Sequence, residues 1–110
     1  SQETHLNILQ NSSHLILAVD DETGNVVGFI NAISDGVLSA YIPLLEVLKN
    51  YRGKGIGYEL VQRMLEKLDG LYMIDIICDR YLQPFYEKFE MKPHTGMILR
   101  NYSTQSGKKL

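Results

Sequence analysis

Cysteine is almost absent from this chain. Cys78 stands alone, which excludes an internal disulfide and points to a reducing compartment, the cytoplasm. No apolar run approaches the ~20 residues of a membrane span, and no signal peptide opens the sequence. Charge of one sign is also lacking. The formal net charge is -2, without the broad basic excess that a nucleic-acid binder needs. His5, His14 and His94 are scattered without metal-ligand spacing, so no metal is expected. There are no repeats and no low-complexity segment. What is there, 110 residues with 45% hydrophobic content, suffices for one domain with one core, residues 1–110.

The pattern along the chain alternates between strand and helix signals. Ser1 to Ser13 is polar, with Leu6, Ile8 and Leu9 as apolar anchors, and reads as the end of a helix. Leu15–Val19 is a short buried strand. Asp20 to Asn25 is rich in turn residues, and Val26–Ile33 returns, giving a hairpin. Ser34-Asp35-Gly36 turns into a third strand, Val37–Leu48. Pro43 lies inside it and demands an edge, a bulge or a splayed ladder. From Tyr58 to Leu68 the apolar residues Leu60, Val61, Met64, Leu65 and Leu68 share one helical face, and Gly70 stops the helix. Leu71–Cys78 reads as a strand covered on both faces. Asp79 can cap the next helix, which must start near Arg80 to Gln83 to tolerate Pro84. Leu82, Phe85, Tyr86 and Phe89 share its face. Gly96–Tyr102 is the expected last strand, and Ser103–Leu110, with Lys108 and Lys109, a loose solvated tail.

The stretch between the third strand and its helix is the most informative. Tyr51-Arg52-Gly53-Lys54-Gly55-Ile56-Gly57 alternates glycine with basic and aliphatic residues. A strand that turns through glycines into a helix N-terminus makes an anion site, because unpaired N–H groups and the helix dipole favour negative charge. Glycine lets the backbone approach a phosphate closely. Lys49, Arg52 and Lys54 add charge that suits a compact polyphosphate. Gly55 and Gly57 are followed by Tyr58, Glu59 and Leu60, so the dinucleotide fingerprint is incomplete. Lys54 is followed by Gly55 rather than by Ser or Thr, so it is not a P-loop. A plain glycine-rich turn remains the alternative to a pyrophosphate cradle.

The spacing Arg52-x-x-Gly55-x-Gly57 resembles the acetyl-CoA loop of the GNAT superfamily of N-acyltransferases. A second segment, Asp79-Arg80-Tyr81-Leu82-Gln83-Pro84-Phe85-Tyr86-Glu87-Lys88-Phe89-Glu90-Met91, is similar to the one written N-x-x-A-x-x-F-Y-E-K-x-G-F in that superfamily. The resemblance covers residues 14–100. It departs at Asp79, where Asn is usual, at Glu90, where Gly is usual, and at Met91, where Phe is usual. An aspartate beside coenzyme A would have to face away from phosphate. Glu90 suggests a helix end without the usual left-handed glycine.

The resemblance implies an α/β (α+β) fold: a mixed, mostly antiparallel sheet with a central parallel strand-loop-helix-strand unit and helices on both faces. It implies an N-acetyltransferase that moves an acetyl group from acetyl-CoA to a primary amine of a small molecule or peptide. The donor side would comprise Leu45, Val47, Arg52, Gly53, Lys54, Gly55, Ile56, Gly57 and Asp79. The strands Val37–Leu48 and Leu71–Cys78 would splay, and the thioester would lie beside Leu45, Glu46 and Val47. Tyr86 falls on the tyrosine that many members use as general acid, although its apolar face also suits a core aromatic. The base is open. Tyr41 and Pro43 occupy positions where relatives carry such groups. Glu46 is one residue out of phase and without a bulge faces the other side, leaving a water chain as the alternative. Cys78 reads as an inert buried thiol. A non-catalytic acyl-CoA sensor or interaction module is the rival function. Only about 13 residues precede the first strand, where the family pattern has a strand and helices, and the C-terminal part is short by a strand. The expected consequence is a homodimer, with or without an exchanged strand. The alternative is a trimmed fragment of a longer monomer, since the chain starts at Ser1.

Overall fold

The computed structural model describes residues 1–108; Lys109, the second lysine of the expected tail, and Leu110 lie outside the described residues. The chain divides into two compact units, Ser12–Ile77 and Ser1–Asn11 with the described residues from Cys78 onward.

The first unit holds the whole sheet. Strands β1 (His14–Val19) and β2 (Val26–Ser34) form the expected hairpin, in register from His14 opposite Ala32 to Ala18 opposite Gly28. Its turn closes through Asp20, whose N–H donates to the Asn25 carbonyl at 2.9 Å and whose Oδ1 accepts from Glu22 N–H at 2.9 Å. The run from Val27 to Ala32 is buried throughout, as a central strand covered on both faces should be.

The expected third strand, Val37–Leu48, is in fact two. Strand β3 (Ser39–Ile42) and strand β4 (Leu45–Val47) both pair antiparallel with β2, but not in one register. Ile33 lies opposite Tyr41, whereas Ile30 lies opposite Leu45. Three steps along β2 are therefore matched by four along its partner, which is a β-bulge at Pro43 and Leu44. Pro43 has no N–H to lose from the ladder. Of the two strands only β3 pairs with β5 (Met73–Ile76), in parallel, from Ser39 opposite Met73 to Ile42 opposite Ile76. The sheet thus runs β1-β2-β3-β5, with β4 alongside β2.

Strand β5 is shorter than the expected Leu71–Cys78 and is not covered on both faces. Met73 and Asp75 are exposed, and Ile74 and Ile76 half-buried. Helix α2 (Ile56–Lys67) starts two residues before the apolar pattern because Gly55 is its N-cap. Leu60, Val61 and Met64 are buried on it, as is Leu68 at its C-cap. The Arg63–Glu59 pair, at 3.2 Å, lies on its exposed side and contributes little. Gly28 lets this layer close up. A Cβ there would meet the Glu46 carbonyl at 3.0 Å, Val47 at 3.4 Å and Leu60 at 3.5 Å.

The second unit begins with a helix, where helical residues are expected from the sequence. Helix α1 (Gln2–Gln10) is capped by Ser1, whose hydroxyl accepts from Thr4 N–H at 3.1 Å. A 3-10 turn, Arg80–Leu82, leads into α3 (Gln83–Glu87), with Pro84 in its first turn where it is tolerated. Asp79 precedes that turn, but its side chain makes no capping bond, against expectation. Glu90 takes φ +66, the only non-glycine residue with positive φ among the described residues. The left-handed position that glycine usually fills after the helix is kept, and filled by glutamate. The expected strand Gly96–Tyr102 is not formed. Residues 96–101 are irregular and exposed, Met97 almost fully. The tail is more ordered than expected, with a 3-10 turn at Tyr102–Thr104 and a bond from Thr4 Oγ1 to the Ser106 carbonyl at 3.0 Å.

A left-handed non-glycine residue costs roughly 1–2 kcal/mol, part of which glycine's larger unfolded-state entropy would offset. Glu90→Gly is therefore expected to stabilise the protein by about 1 kcal/mol, read as a higher Tm by calorimetry. An unchanged or lower Tm would mean that the glutamate side chain makes up for its backbone.

Candidate active site

The bulge decides what β4 presents. On β2, Ile33 and Phe29 are four residues apart and so point to the same face. Their partners Tyr41 and Glu46 therefore share a face as well. Glu46 was expected on the opposite side only if the strand were regular; the extra residue brings it into phase with Tyr41. Glu46 is exposed and Tyr41 half-buried.

Main-chain groups follow the same logic. Leu48 N–H donates to the Val27 carbonyl at 2.8 Å, and Asn31 N–H donates to the Leu44 carbonyl at 3.2 Å. Hydrogen-bonded pairs alternate in an antiparallel ladder. Leu44, Glu46 and Leu48 thus turn their amides toward β2, and Leu45 and Val47 turn theirs to the other edge. That edge has no strand partner among the described residues. The Val47 carbonyl accepts from Arg52 Nε at 2.9 Å, so the arginine ties the end of β4 to the loop that follows.

A 3-10 turn, Lys49–Tyr51, leads from β4 to the loop. Gly53 has φ +77 and Gly55 φ +85, and an added Cβ at either would point into open space. Both positions need glycine for their backbone rather than for packing. The first helical bond of α2 runs from Glu59 N–H to the Gly55 carbonyl at 3.1 Å. The amides of Ile56 and Gly57 precede it, in the first turn, where an α-helix offers its N–H groups no carbonyl four residues back. Lys54 lies over the Tyr51 ring, 5.5 Å from its centroid. Tyr51 donates its hydroxyl proton to Asp20 Oδ2 at 2.6 Å, which brings the hairpin turn to the loop. That bond holds the Asp20 carboxyl below its ordinary range and raises the Tyr51 hydroxyl above its own. Such a loop, open, cationic and backed by a helix N-terminus, fits a pyrophosphate.

Tyr86, Asp79 and Cys78 belong to the other unit. Tyr86 is buried in α3, edge-on to Phe85 at 5.0 Å between centroids. Burial, and then the charge of Cys78, push its hydroxyl up from the usual tyrosine value. Cys78 is half-buried rather than buried; burial, and then Asp79, push its thiol up as well.

The family model described as Acetyltransferase (GNAT) family matches residues 1–91. The chain belongs to the GNAT acetyltransferase family. A crystal structure from Deinococcus radiodurans R1, assigned as an acetyltransferase, is 44% identical with a TM-score of 0.93, over 98% of this chain and 75% of that one. A GNAT family acetyltransferase from Streptococcus pneumoniae TIGR4 is 28% identical with a TM-score of 0.77, over 92% and 80%. The glucosamine-6-phosphate N-acetyltransferase of Arabidopsis thaliana, 16% identical over 91% of this chain and 76% of that one, shares the fold at a TM-score of 0.75. No curated protein sequence matches. The chain is thus a GNAT acyltransferase, from a family whose members generally take their acyl group from acetyl-CoA. Among the described residues no helix is long and apolar enough to cross a membrane.

The loop and the β4 residues expected from the sequence lie in one unit, joined by the bond from Arg52 to Val47. Sequence reasoning missed three residues that hold them there. Asn31 carried a signal, being the one amide in the run Val26–Ile33. Asp20 and Tyr51 carried none, because nothing in a sequence relates residues 31 positions apart.

Proposed function

We propose that residues 1–110 act as one N-acetyltransferase domain, moving the acetyl group of acetyl-CoA to a primary amine of a small molecule or peptide in the cytoplasm. The observation that carries this reading is the outer edge of β4, with the Leu45 and Val47 amides turned away from β2, tied through Arg52 to the glycine loop. The loop amides at Ile56 and Gly57, with Lys54 and the glycines Gly53 and Gly55, would hold the pyrophosphate. Bound there, acetyl-CoA would supply a thioester carbonyl for an amine to attack, with coenzyme A leaving as the thiolate.

The chain's own groups then have three tasks. An amide at Val47 donates to the thioester oxygen as negative charge develops on it. Tyr86 gives its proton to the departing thiolate; its raised pKa keeps it protonated throughout the neutral range. Glu46, brought into phase by the bulge, accepts the proton that the amine must lose, directly or through water, since an alkylamine with pKa ~10.4 is charged at neutral pH. Asp79, whose side chain makes no capping bond, would have to face away from the phosphates.

Gly55→Val forces a β-branched residue to φ +85 and puts its side chain where the phosphate would lie. Calorimetry should show coenzyme A affinity lost while the fold survives; equal affinity would sink the cradle. Tyr86→Phe should lower the single-turnover rate at least tenfold, within the ~10²–10⁴ typical of a general acid, with donor affinity kept. The alkaline limb of the wild-type profile should lie above ~10, the ordinary tyrosine value, because the buried hydroxyl keeps its proton until the pH passes its raised pKa. An unchanged rate would return Tyr86 to the core. Tight acetyl-CoA binding without turnover on any amine of a broad panel would make the chain a sensor instead.

The exposed apolar residues Tyr72, Met73 and Ile77 on and beside β5, which is last in the sheet order, support self-association as a two-fold homodimer. Sedimentation over a range of micromolar concentrations should show a concentration-dependent dimer. A clean monomer throughout would count against it.

A further inference from the structure

Among the described residues Asn31 is the one buried polar side chain of the core, 1% exposed in the middle of β2. Its amide uses both ends. Oδ1 accepts from Leu44 N–H at 3.1 Å, and Nδ2 donates to Ser12 Oγ at 3.0 Å. Its main-chain N–H donates to the Leu44 carbonyl at 3.2 Å. One residue thus holds both main-chain groups of Leu44, the bulge residue. In a regular ladder Leu44 N–H would donate to the Asn31 carbonyl. The side-chain oxygen takes over that role, so the bulge is held by a side chain whose other end is anchored on Ser12.

What the clamp fixes is the phase of β4. Without it the strand could regain register with β2 by a one-residue slip, which would turn every side chain and every amide of β4 to the opposite side. Leu45 and Val47 would then direct their amides into the sheet, and Glu46 would leave the face of Tyr41. We propose that Asn31, anchored by Ser12, is a positioning residue for acyl transfer: it holds the Leu44 bulge so that the Leu45 and Val47 amides face the acyl group. This rests on the transfer reading of the same strand. It assigns no contact between Asn31 and the donor, and so separates donor binding at the loop from alignment of the acyl group at β4.

Three variants test it. Asn31→Leu keeps the size and removes both side-chain bonds. Asn31→Asp keeps an oxygen for Leu44 N–H. Ser12→Ala removes the outer anchor and leaves the Asn31 side chain in place. Asn31→Leu should lower kcat at least tenfold while the coenzyme A Kd stays within threefold, and Asn31→Asp should recover most of the loss. A residue that only stabilises the core would lower Tm and leave kcat unchanged in the folded protein. Amide NMR gives a readout that needs no turnover. In the wild type, acetyl-CoA should shift the Leu45 and Val47 amides more than coenzyme A does. In Asn31→Leu that difference should vanish while the Ile56 and Gly57 amides respond as before. Should Asn31→Leu not fold, Ser12→Ala carries the test, with kcat expected to fall threefold or more at unchanged Kd. A folded Asn31→Leu with kcat within twofold of wild type or with the Leu45 and Val47 response intact would overturn the assignment. So would an unchanged Ser12→Ala. A wild type that shows the amide response but acetylates no amine would end the transfer reading and leave the positioning role standing.

Discussion

The pairing of the Asn31 side chain with Leu44 N–H is the contact on which the rest of the sheet depends. A bulge leaves one residue without its ladder partner, and a buried N–H without an acceptor costs about 1–3 kcal/mol. Asn31 supplies the acceptor from within the core, and its own donor is satisfied by Ser12. With Leu44 held, the extra residue is stable, and three properties of β4 follow together: it parts from the line of β3 and β5, it places Glu46 with Tyr41, and it turns two amides outward. Pro43 belongs to the same arrangement, since a residue with no N–H raises no further demand at the break.

The glycine loop is organised by a different balance. Anion binding calls for positive charge and open amides, yet a carboxylate, Asp20, lies within hydrogen-bonding reach of the loop's first aromatic residue. Its charge is engaged by the Tyr51 hydroxyl and by the Glu22 amide of its own turn. Tyr51 in turn offers its ring to Lys54. The acidic turn thereby steadies the side of the loop that carries the cation. Backbone strain is taken up at Gly53 and Gly55, where it costs little, and among the described residues only at Glu90 by a residue with a side chain.

Much of this was legible beforehand, and the reasons are specific. The hairpin and α2 were readable because their signals are local: alternation, a turn-rich hexamer, a 3.6-residue apolar stripe. The glycine loop was readable because positive φ leaves a mark in the residue type. Pro43 announced an irregularity in its strand, but its form was not readable, because a bulge is a relation between two strands and not a property of one. For the same reason the phase of Glu46 could be stated only conditionally. Gly96–Tyr102 has strand-like composition and forms no strand among the described residues, since composition does not supply a partner. Met97–Leu99 stay exposed there. Asp79 has the chemistry of a cap without the geometry.

The bond from Arg52 Nε to the Val47 carbonyl has a consequence for how the donor's two ends communicate. It links the strand that would face the acyl group to the loop that would grip the nucleotide. The nucleotide portion of the donor, which takes no part in bond making, would then act as a handle, converting its binding energy into alignment of the reacting carbonyl. A donor cut down to its pantetheine arm would lose the handle and with it the alignment. The cost of such a truncation would fall on turnover as well as on affinity.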